Sequence, residues 1–461
     1  MALWTGSEIA TAIGGKLSSE FSVHGVEFDS REVSDNDLFF ALKGEQSDGH
    51  LYLDKVFASG GAGAIVSEAC EHPHVYVADT NHALDALAVA ARQRVDAKII
   101  GVTGSVGKTG TKEALFAALN RSSRGRAHRS VKSYNNHVGV PLSLSRMPAD
   151  TRFGIFEMGM NHPGELSELT QLVKPDVAIV TTIAPAHAEF FKDETEIADA
   201  KGEIFEGLVE DGIAIIPRDS PHFERLKGHA EKYTANIVSF GLSAEADVRA
   251  VDVVPSPRGG TLVTAKINGT GLCYTIAAPG EHWVVNSLAI LAAVQAVGGD
   301  LASAGLALAE LEGLDGRGRR HILRRYDGEY LLIDESYNAN PASMAATLQQ
   351  LGKEPAARKV AVLGAMKELG AKSEAYHGAI LEHLVAAKVD FVVLVGDEMQ
   401  IVATKINQGV EAGLKFAQVK DANEALACLK QILRVDDAVL VKGSNSVGLS
   451  SLIKALVSEG K

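Results

Sequence analysis

The amino-acid sequence predicts an α/β protein built on parallel β-sheets and divided into three domains. Short apolar runs rich in β-branched residues alternate with amphipathic helical patterns along all 461 residues, which is typical of parallel sheets covered by helices on both faces. A chain of this length is also too long for one hydrophobic core. Its pattern changes near residue 80 and again at a glycine-rich segment. We therefore predict domains over residues 1–80, 81–312 and 313–461.

The strand candidates support these divisions in order. The first stretch holds short strands with one or two helices, the second opens with the amphipathic helix ALDALAVAARQR, and the third continues the alternation of strands and helices. The glycine-rich segment 313–320, GLDGRGRR, is predicted to be a hinge. The candidates are GVEFDS, DLFFAL, GAGAIVS and HVYVAD in the first stretch, KIIGVTG, FGIFEMG, DVAIVTTI and GIAIIP in the second, and YLLID, RKVAVLG, DFVVLVG, KFAQV and AVLVKG in the third.

Composition narrows the class of protein. A hydrophobic content of 46% and a charged content of 22% are those of a water-soluble globular protein, and no apolar run is long enough for a transmembrane helix. The N-terminus lacks the pattern of an export signal. The three cysteines are far apart and unpatterned, which indicates a reducing compartment. We expect a cytoplasmic protein that is not embedded in a membrane.

The charge distribution argues against nucleic-acid binding. The net charge is −13, so a nucleic-acid site would need a strong basic patch to overcome the overall field. The best candidate is the cluster RSSRGRAHRS at 121–130. It follows a predicted helix, and we interpret it as a solvated loop.

A glycine-rich loop at 101–110, GVTGSVGKTG, lies between a buried-strand pattern and the start of an amphipathic helix. Val102 occupies the position where the common phosphate-loop pattern has its first glycine. The context is still that of a phosphate loop, in which backbone N–H groups and the positive end of a helix surround an anion. Lys108 would add a charge for the terminal phosphates, and Thr109 a hydroxyl for Mg²⁺. The alternative is a glycine turn with a surface lysine.

Three residues downstream are candidates for metal chemistry. Glu157 ends an apolar strand, where a carboxylate can bind Mg²⁺ beside a phosphate loop; an exposed turn residue is the alternative. His187 follows the strand DVAIVTTI, although a lone histidine is more often a packing residue. Lys201 lies on a predicted helix, where an ordinary exposed lysine is the simpler interpretation.

Taken together, these residues resemble the Mur ligase family, the ATP-dependent amide-forming enzymes of bacterial peptidoglycan synthesis and hence of cell shape and division. Residues 101–109 match the family's loop, Gly-x-Thr-Gly-x-x-Gly-Lys-Thr, at each fixed position, and APAHAEFF followed by IADAKGEIF matches its histidine and lysine segment. The resemblance covers essentially the whole chain. It implies a small α/β UDP-sugar-binding domain, a central P-loop ATPase domain with a parallel sheet, and a Rossmann-like C-terminal ligase domain.

Within the family, the chain is similar to the branch that joins D-alanyl-D-alanine to UDP-N-acetylmuramoyl-tripeptide. The similar segments are EMGMNHPGEL, YNNHVGVPLSL and, above all, SYNANPASM. The Asp-Asn-Pro-Arg motif of many ligases that add one diamino acid is absent. The resemblance implies that ATP activates a carboxylate as an acyl phosphate, that an amine then displaces the phosphate, and that ADP is formed.

The resemblance also implies a site for ATP and Mg²⁺. The catalytic residues would be Lys108, Glu157, His187, Lys201 and Asp334. The metal would be held by Thr109, Glu157, His187 and Lys201, the lysine as a carbamate, since a bare ammonium would be repelled by Mg²⁺ and a desolvated amine can react with CO₂. The residues that would bind ATP are Gly104, Ser105, Gly107, Lys108, Thr109, Gly110, His282, Asn286, Arg317, Asp334, Tyr337 and Asn338.

Two groups of these positions deserve separate expectations. Asn286 would contact adenine, with N-terminal capping of a helix as its alternative. Asn340 and Pro341 are predicted to be the N-cap and first residue of a helix, which is a structural role. Because the contacts to ATP would come from two domains, we expect closure of the domains to assemble the site and exclude water.

The UDP-sugar site is implied by FDSR at 28–31 and FFALKGEQSDGH at 39–50. Arginine suits a diphosphate because its fork is bidentate and permanently charged, although a surface Asp-Ser-Arg turn would look the same. The UDP-sugar and its peptide would be met by Ser30, Arg31, Lys43, Asp48, His50, Asn135, Asn136 and His137. For the last three, capping of a loop is the alternative.

Some positions depart from the family's pattern, among them Trp283 and Asn445, where the family more often has asparagine and arginine. The acceptor for the new bond is therefore the least defined part of the prediction. Two rival hypotheses stay open: a ligase that adds a single amino acid, and a catalytically inactive nucleotide-binding scaffold. We expect small-molecule substrates only, and a monomer.

Overall fold

The computed structural model describes residues 2–44, 47–185, 189–256, 260–325, 328–409 and 413–460. In this part of the chain the strands form sheets of five, nine and six strands and a two-stranded ribbon. The predicted α/β fold class is confirmed. The domain boundaries stay predictions.

The N-terminal region contains the five-stranded sheet and the ribbon. Its elements are β1 (Trp4–Thr5), α1 (Gly6–Ile13), β2 (Lys16–Leu17), β3 (Ser22–Val23), β4 (Gly25–Glu27), β5 (Asp37–Phe40), a 3₁₀ helix (Gly49–Tyr52), α2 (Leu53–Ala58), β6 (Gly63–Val66) and β7 (His74–Tyr76). The sheet order is β2-β7-β6-β5-β4, with β4 to β7 parallel and β2 antiparallel. The ribbon pairs β1 with β3.

The central region contains the nine-stranded sheet. Its elements are α3 (Thr80–Gln93), β8 (Lys98–Thr103), α4 (Lys108–Ser122), β9 (Ala127–Arg129), α5 (Gly139–Ser145), β10 (Phe153–Glu157), α6 (Glu165–Val173), β11 (Val177–Val180), α7 (Glu194–Gly202), a 3₁₀ helix (Glu203–Gly207), β12 (Ile213–Pro217), α8 (Phe223–Ala230), β13 (Asn236–Gly241), β14 (Val248–Pro255), β15 (Thr261–Ile267), β16 (Thr270–Ile276), α9 (Glu281–Ala296) and α10 (Leu301–Glu310). The order is β16-β15-β14-β13-β12-β11-β8-β10-β9, parallel from β9 to β14 and antiparallel beyond.

The C-terminal region contains the six-stranded sheet. Its elements are β17 (Arg319–Arg325), β18 (Gly328–Glu335), α11 (Pro341–Lys353), β19 (Arg358–Gly364), a 3₁₀ helix (Gly370–Lys372), α12 (Ser373–Ala386), β20 (Phe391–Val395), a 3₁₀ helix (Asp397–Met399), α13 (Gln400–Asn407), β21 (Lys415–Val419), α14 (Ala422–Ile432), β22 (Asp437–Lys442), a 3₁₀ helix (Asn445–Val447) and α15 (Leu449–Glu459). The order is β17-β18-β22-β19-β20-β21, and only β17 is antiparallel to its neighbour.

Helices cover both faces of the central sheet, as the continuous apolar character of its strands requires. Leu115 of α4 and Leu288 of α9 are buried on one face, and Leu166 of α6 and Ile197 of α7 on the other. The order of the strands reverses at β8, which lies between β10 and β11. Such a switch point opens a crevice at the carboxyl ends of the strands, and the glycine-rich loop follows β8 there.

Helix α3 joins two cores. Its Leu84 and Leu87 are buried with the first sheet, whereas Ala88 packs against the central one. Asp79 caps the helix by accepting hydrogen bonds from the backbone N–H groups of Asn81 and His82. The helix that the sequence places in the central stretch therefore also completes the core of the first.

The prediction that residues 121–130 form a solvated loop was wrong. The basic cluster at 121–130 includes the edge strand β9. The Arg129 side chain pairs with Glu113 at 3.0 Å and lies over the ring of Phe116. The apolar stem of Arg129 therefore packs against the protein instead of being solvated. The predicted hinge, 313–320, is irregular up to residue 318 and then continues into β17, whose two apolar residues are flanked by arginine and histidine; its role as a hinge stays a prediction. Both β9 and β17 are edge strands, in which charged side chains protect an open edge.

Within the described residues, no helix combines the length and the hydrophobicity that a membrane span requires.

The structure confirms the predicted cap of α11 and allows its contribution to be tested. The side chain of Asn340 accepts a hydrogen bond from the Ser343 N–H at 2.8 Å, and Pro341 is the first helical residue. We expect Asn340→Ala to lower the free energy of unfolding of the C-terminal region by about 1 kcal/mol, whereas Asn340→Asp retains the acceptor and costs less. Urea unfolding followed by circular dichroism measures the difference.

A matched control is Asp421, which caps α14 on the same sheet. Asp421→Ala should cost a similar amount. The capping role of Asn340 would be contradicted if Asn340→Ala unfolded at the same urea concentration as the original chain while Asp421→Ala was destabilised.

Candidate active site

The carboxyl ends of the central and C-terminal sheets face each other across a cavity of about 270 Å³. The central region contributes the glycine-rich loop, the end of β10 and the start of α9. The C-terminal region contributes the hinge and the ends of β18 and β22. The cavity therefore exists only because two sheets that are distant in sequence meet at their strand ends.

The glycine-rich loop has backbone angles that side chains rarely adopt. Gly104 has φ 146° and Gly107 has φ 90°, and a Cβ atom on Gly104 would lie 2.0 Å from Thr181 Oγ1. The Ser105 hydroxyl donates to the Ala184 carbonyl at 2.8 Å and accepts from the Ala184 N–H at 3.0 Å. The loop is thus fixed against the segment after β11, with the N-terminus of α4 directly behind it, as phosphate binding requires.

Lys108 begins α4 and folds back over the loop. Its ammonium donates to the Gly104 carbonyl at 2.6 Å. Burial lowers the pKa of Lys108 below its ordinary value; Glu157 partly offsets this effect, and Arg317 from the C-terminal region adds to it. Three lysine or arginine side chains line the cavity, Lys108, Arg317 and Lys442, against two carboxylates, Glu157 and Glu335. This excess of basic groups favours an anionic ligand.

Thr109 and Glu157 form the part of the cavity that fits Mg²⁺. Glu157 ends β10 in register with Val102 of β8, and its Oε2 accepts from the Thr109 hydroxyl at 2.9 Å. Its Oε1 accepts from the Asn135 amide at 2.7 Å. Hydroxyl and carboxylate oxygens are the protein ligands that Mg²⁺ prefers. The hydrogen bond from Asn135 orients the carboxylate of Glu157. The residues present therefore fit this ion.

Lys201 lies in the last turn of α7 and is 1% exposed. Burial, with a further contribution from repulsion by Lys108, lowers the pKa of Lys201 well below its ordinary value. The simpler interpretation of Lys201 as an exposed lysine is therefore wrong. A neutral amine is the form that reacts with CO₂, so the environment fits the predicted carbamate. His187 lies outside the described residues.

The start of α9 lies against the glycine-rich loop. Asn286 is 5% exposed, and its amide lies about 3 Å from the position that a Cβ atom on Gly107 would occupy. Asn286 does not cap α9, because that helix begins at Glu281. Burial lowers the pKa of His282 to about 4, with a smaller contribution from Lys442.

Trp283, noted as a departure from the family's pattern, lies on the same turn. A Cβ atom on Gly110 would lie 2.9 Å from the Trp283 ring, so the glycine lets this ring pack on α4. Trp283 also lines the cavity, which gives this chain a flat aromatic surface beside its phosphate loop.

The C-terminal region presents Arg317, Tyr337 and Asn338 to the cavity. The Arg317 guanidinium lies 4.2 Å from the centre of the Tyr337 ring. Asp334 faces away: its carboxylate accepts from the Gly316 N–H at 2.8 Å and from the Ser336 hydroxyl at 2.7 Å. Asp334 is therefore not one of the residues that line the cavity. Its hydrogen bonds stabilise the hinge segment before β17.

Glu335 and Lys442 line the cavity and were missed by the sequence analysis. They are register partners at the carboxyl ends of β18 and β22, with Lys442 Nζ 3.6 Å from Glu335 Oε2 and 2.9 Å from the Asn338 carbonyl. Burial raises the pKa of Glu335 and lowers that of Lys442. A charged residue that ends an apolar strand, the signal that identified Glu157, would have found both.

Five of the predicted UDP-sugar residues follow the carboxyl ends of β4 and β5, outside this cavity: Ser30, Arg31, Lys43, Asp48 and His50. Arg31 makes a bidentate contact with Asp29, at 2.9 and 2.6 Å, and this contact lowers the pKa of Asp29 to about 2. Ser30 lies in the same turn. Arg31 is otherwise exposed, so its guanidinium is accessible to a ligand.

A second group follows β5 and β6. Lys43 pairs with Glu68 at 2.6 Å, and His50 Nδ1 lies 2.6 Å from Asp48 Oδ1. His50 Nε2 accepts from the Ser67 N–H at 3.0 Å, so both ring nitrogens are in use. Although Asp48, His50 and Glu68 lie close enough to share a cation, the hydrogen bonds indicate a brace between two loops.

The residues Asn135, Asn136 and His137 separate. Asn135 lines the cavity and donates to Glu157 there. Asn136 Oδ1 accepts from the N–H groups of Val138 and Gly139 at 3.3 and 3.0 Å, which is the capping role left open by the sequence. His137 is exposed. The ligand contacts of all these residues stay predictions.

Comparison with known proteins places the chain in a family. Three family models match it: the Mur ligase family catalytic domain over 22–98, the Mur ligase middle domain over 102–294, and the Mur ligase, glutamate ligase domain over 318–445. The UDP-N-acetylmuramoyl-tripeptide–D-alanyl-D-alanine ligase of Escherichia coli K12 is 33% identical over 98% of each chain. That of Rickettsia prowazekii is 32% identical over 98% of this chain and 99% of the relative.

Solved structures agree. MurF from Acinetobacter baumannii has a TM-score of 0.84 at 29% identity, covering 99% of both chains. MurF from Thermotoga maritima in complex with ADP has a TM-score of 0.77 at 26% identity, covering 95% of this chain and 98% of the other. The chain therefore belongs to the Mur ligase family.

Proposed function

We propose that this protein joins D-alanyl-D-alanine to UDP-N-acetylmuramoyl-tripeptide, forming ADP and phosphate from ATP, in the synthesis of peptidoglycan precursors. The observation that carries the proposal is the cavity itself. It combines a phosphate loop and a Thr109–Glu157 pair from one sheet with Arg317, Glu335 and Lys442 from another. The full-length similarity to ligases of that name supports the same substrates.

The reaction must bring two anions together, the substrate carboxylate and ATP, so its barrier is largely electrostatic. Lys108 and Arg317 approach the cavity from opposite regions, and the Arg317 guanidinium disfavours the charged form of Lys108 until an anion lies between them. Binding of the phosphates relieves this repulsion. Thr109 and Glu157 would hold Mg²⁺, which supplies charge neutralisation when bound.

The acceptor amine would enter from the C-terminal side. Glu335 and Lys442 lie at that wall, where a buried carboxylate can orient an incoming ammonium and the lysine can meet a carboxylate. Because each region supplies part of the lining, their contact excludes water, which would otherwise hydrolyse an acyl phosphate.

The remaining features of the proposal concern setting and partners. We infer a cytoplasmic bacterial enzyme that acts as a monomer on small molecules, with Mg²⁺ as its metal and Lys201 carbamylated. The buried, pKa-lowered state of Lys201 supports the modification. The first region would bind the UDP moiety at the carboxyl ends of β4 to β6.

Release of phosphate from ATP tests the reaction. We expect release only when UDP-N-acetylmuramoyl-tripeptide and D-alanyl-D-alanine are both present, because the acyl phosphate is consumed by the amine. Phosphate is measured with each substrate alone and with both. Release that needs neither substrate would contradict the proposal, and turnover with a single amino acid in place of the dipeptide would favour the rival ligase.

The metal role of Glu157 predicts a change in the requirement for Mg²⁺. Glu157→Gln keeps the shape but removes the charge, so the Mg²⁺ concentration for half-maximal activity should rise at least about tenfold. The control is Glu168→Gln, an exposed glutamate of α6, which should leave the Mg²⁺ titration unchanged. A Glu157→Gln titration that superimposes on that of the control would exclude the role.

The carbamate predicts chemical rescue. Lys201→Ala should lower kcat at least about a hundredfold, Lys201→Arg should not restore it, and acetate should partly rescue the alanine variant by replacing the lost anion. Lys227→Ala, which changes a partly exposed lysine of α8, serves as the control. Full activity of either Lys201 variant without added acid is the outcome that rules the role out.

A further inference from the structure

A second lysine of α4, Lys112, is completely buried and has no part in the proposed chemistry. Its ammonium donates to the Ser130 carbonyl at 3.4 Å and to the Lys132 carbonyl. It also lies 3.0 Å from Glu113 and 4.0 Å from Glu157. A buried ammonium is costly unless it is paired and hydrogen-bonded. These contacts therefore stabilise the buried ammonium, and the ammonium in turn fixes the positions of the groups that it contacts.

The two carbonyls belong to residues 130–136, which we call the strap. It follows β9 and precedes α5. On its inner side, the Ser130 hydroxyl accepts from the Glu157 N–H at 2.9 Å, and Asn135 donates to the Glu157 carboxylate at 2.7 Å. Ser133 lies 3.4 Å from the Thr109 hydroxyl. The strap therefore orients the residues that fit Mg²⁺.

On its outer side, the strap reaches the first region. The Lys132 ammonium pairs with Glu32 at 2.8 Å and lies 5.6 Å from the centre of the Tyr134 ring. That ring lies 5.7 Å from the ring of Phe28. Phe28 and Glu32 flank the turn that carries Arg31, the predicted ligand of the UDP moiety.

The backbone of the strap needs an external hold. Lys132 has φ 49°, a left-handed conformation that costs energy in a residue with a side chain. The carbonyl of this same residue accepts from Lys112. The buried ammonium thus compensates the least favourable backbone conformation of the strap at the point where its side chains divide between two sites.

We propose that Lys112 is a positioning residue that fixes the strap, and through it aligns the ATP and Mg²⁺ cavity with the UDP-sugar segment of the first region. This inference rests on the proposed function, because it takes both sites as real. Lys112 touches neither ligand. It acts through Glu157 and Asn135 on one side and through Lys132 and Tyr134 on the other.

Binding measurements distinguish this role from a merely structural one. Calorimetric titrations use AMP-PNP with Mg²⁺ and, separately, UDP-N-acetylmuramoyl-tripeptide. A loss of folded protein lowers the stoichiometry and leaves the dissociation constant unchanged, whereas a displaced strap changes the constant. We expect Lys112→Met to raise both dissociation constants at least about fivefold.

Two further variants separate the sides of the strap. Lys132→Met removes the contact with Glu32 and should raise the constant for the UDP-sugar alone. Lys98→Met removes an exposed lysine that pairs with Asp176 at the opposite end of β8, and should change neither constant. Either constant of Lys112→Met within twofold of the original chain overturns the proposal.

If Lys112→Met does not fold, Glu113→Gln decides. It removes the nearest counter-charge of Lys112, and it must raise both constants together; unchanged constants overturn the proposal. If the original chain binds neither nucleotide, the proposed function itself is contradicted. If the original chain binds both and the variants bind them equally well, only the positioning role of Lys112 is contradicted.

Discussion

Buried positive charge at the meeting of two sheets is the constraint on which the rest of this structure depends. Lys108 and Lys442 are both withdrawn from water, and burial lowers the pKa of each. Ammonium groups are costly to bury without compensation, and the carboxylates of Glu157 and Glu335 compensate only in part. The remainder must come from anionic ligands. A site of this kind is therefore stable when it holds ATP and an activated carboxylate, which is the chemistry of the family.

The fold places these charges with little more than the geometry of parallel strands. The carboxyl ends of β8 and β10 present the glycine-rich loop and Glu157, and those of β18 and β22 present Glu335 and Lys442 in register. Helix α4 contributes both to the cavity and to the position of the strap. Its first residues face the cavity, and one turn later, at the i+4 position from Lys108, Lys112 faces the strap. One helix thus supports the site and the connection to the first region.

Much of the fold and part of the site could be predicted from the sequence. Glycine-rich loops and strand-terminal carboxylates have local signatures, so the loop at 101–110 and Glu157 were identified, and the predicted family is confirmed by the comparisons. Edge strands such as β9 and β17 were missed because their residues are polar. Glu335 and Lys442 were missed because their meaning lies in their pairing across the sheet, between strands far apart in the chain. Asp334, the neighbour of Glu335 on β18, was predicted to be a site residue instead, but its carboxylate faces the hinge.

The sequence by itself determined the alternation of strands and helices, the glycine-rich loop between β8 and α4, and the family, because each depends on residues within a few positions of one another. Tertiary structure decided which side chain of a strand faces the cavity, since successive residues point to opposite faces. It also decided the lowered pKa of Lys201, because desolvation is a property of the surrounding packing. The role of Lys112 belongs to the same class: an exposed lysine and a buried one are identical in sequence, and only the carbonyls around its ammonium distinguish them.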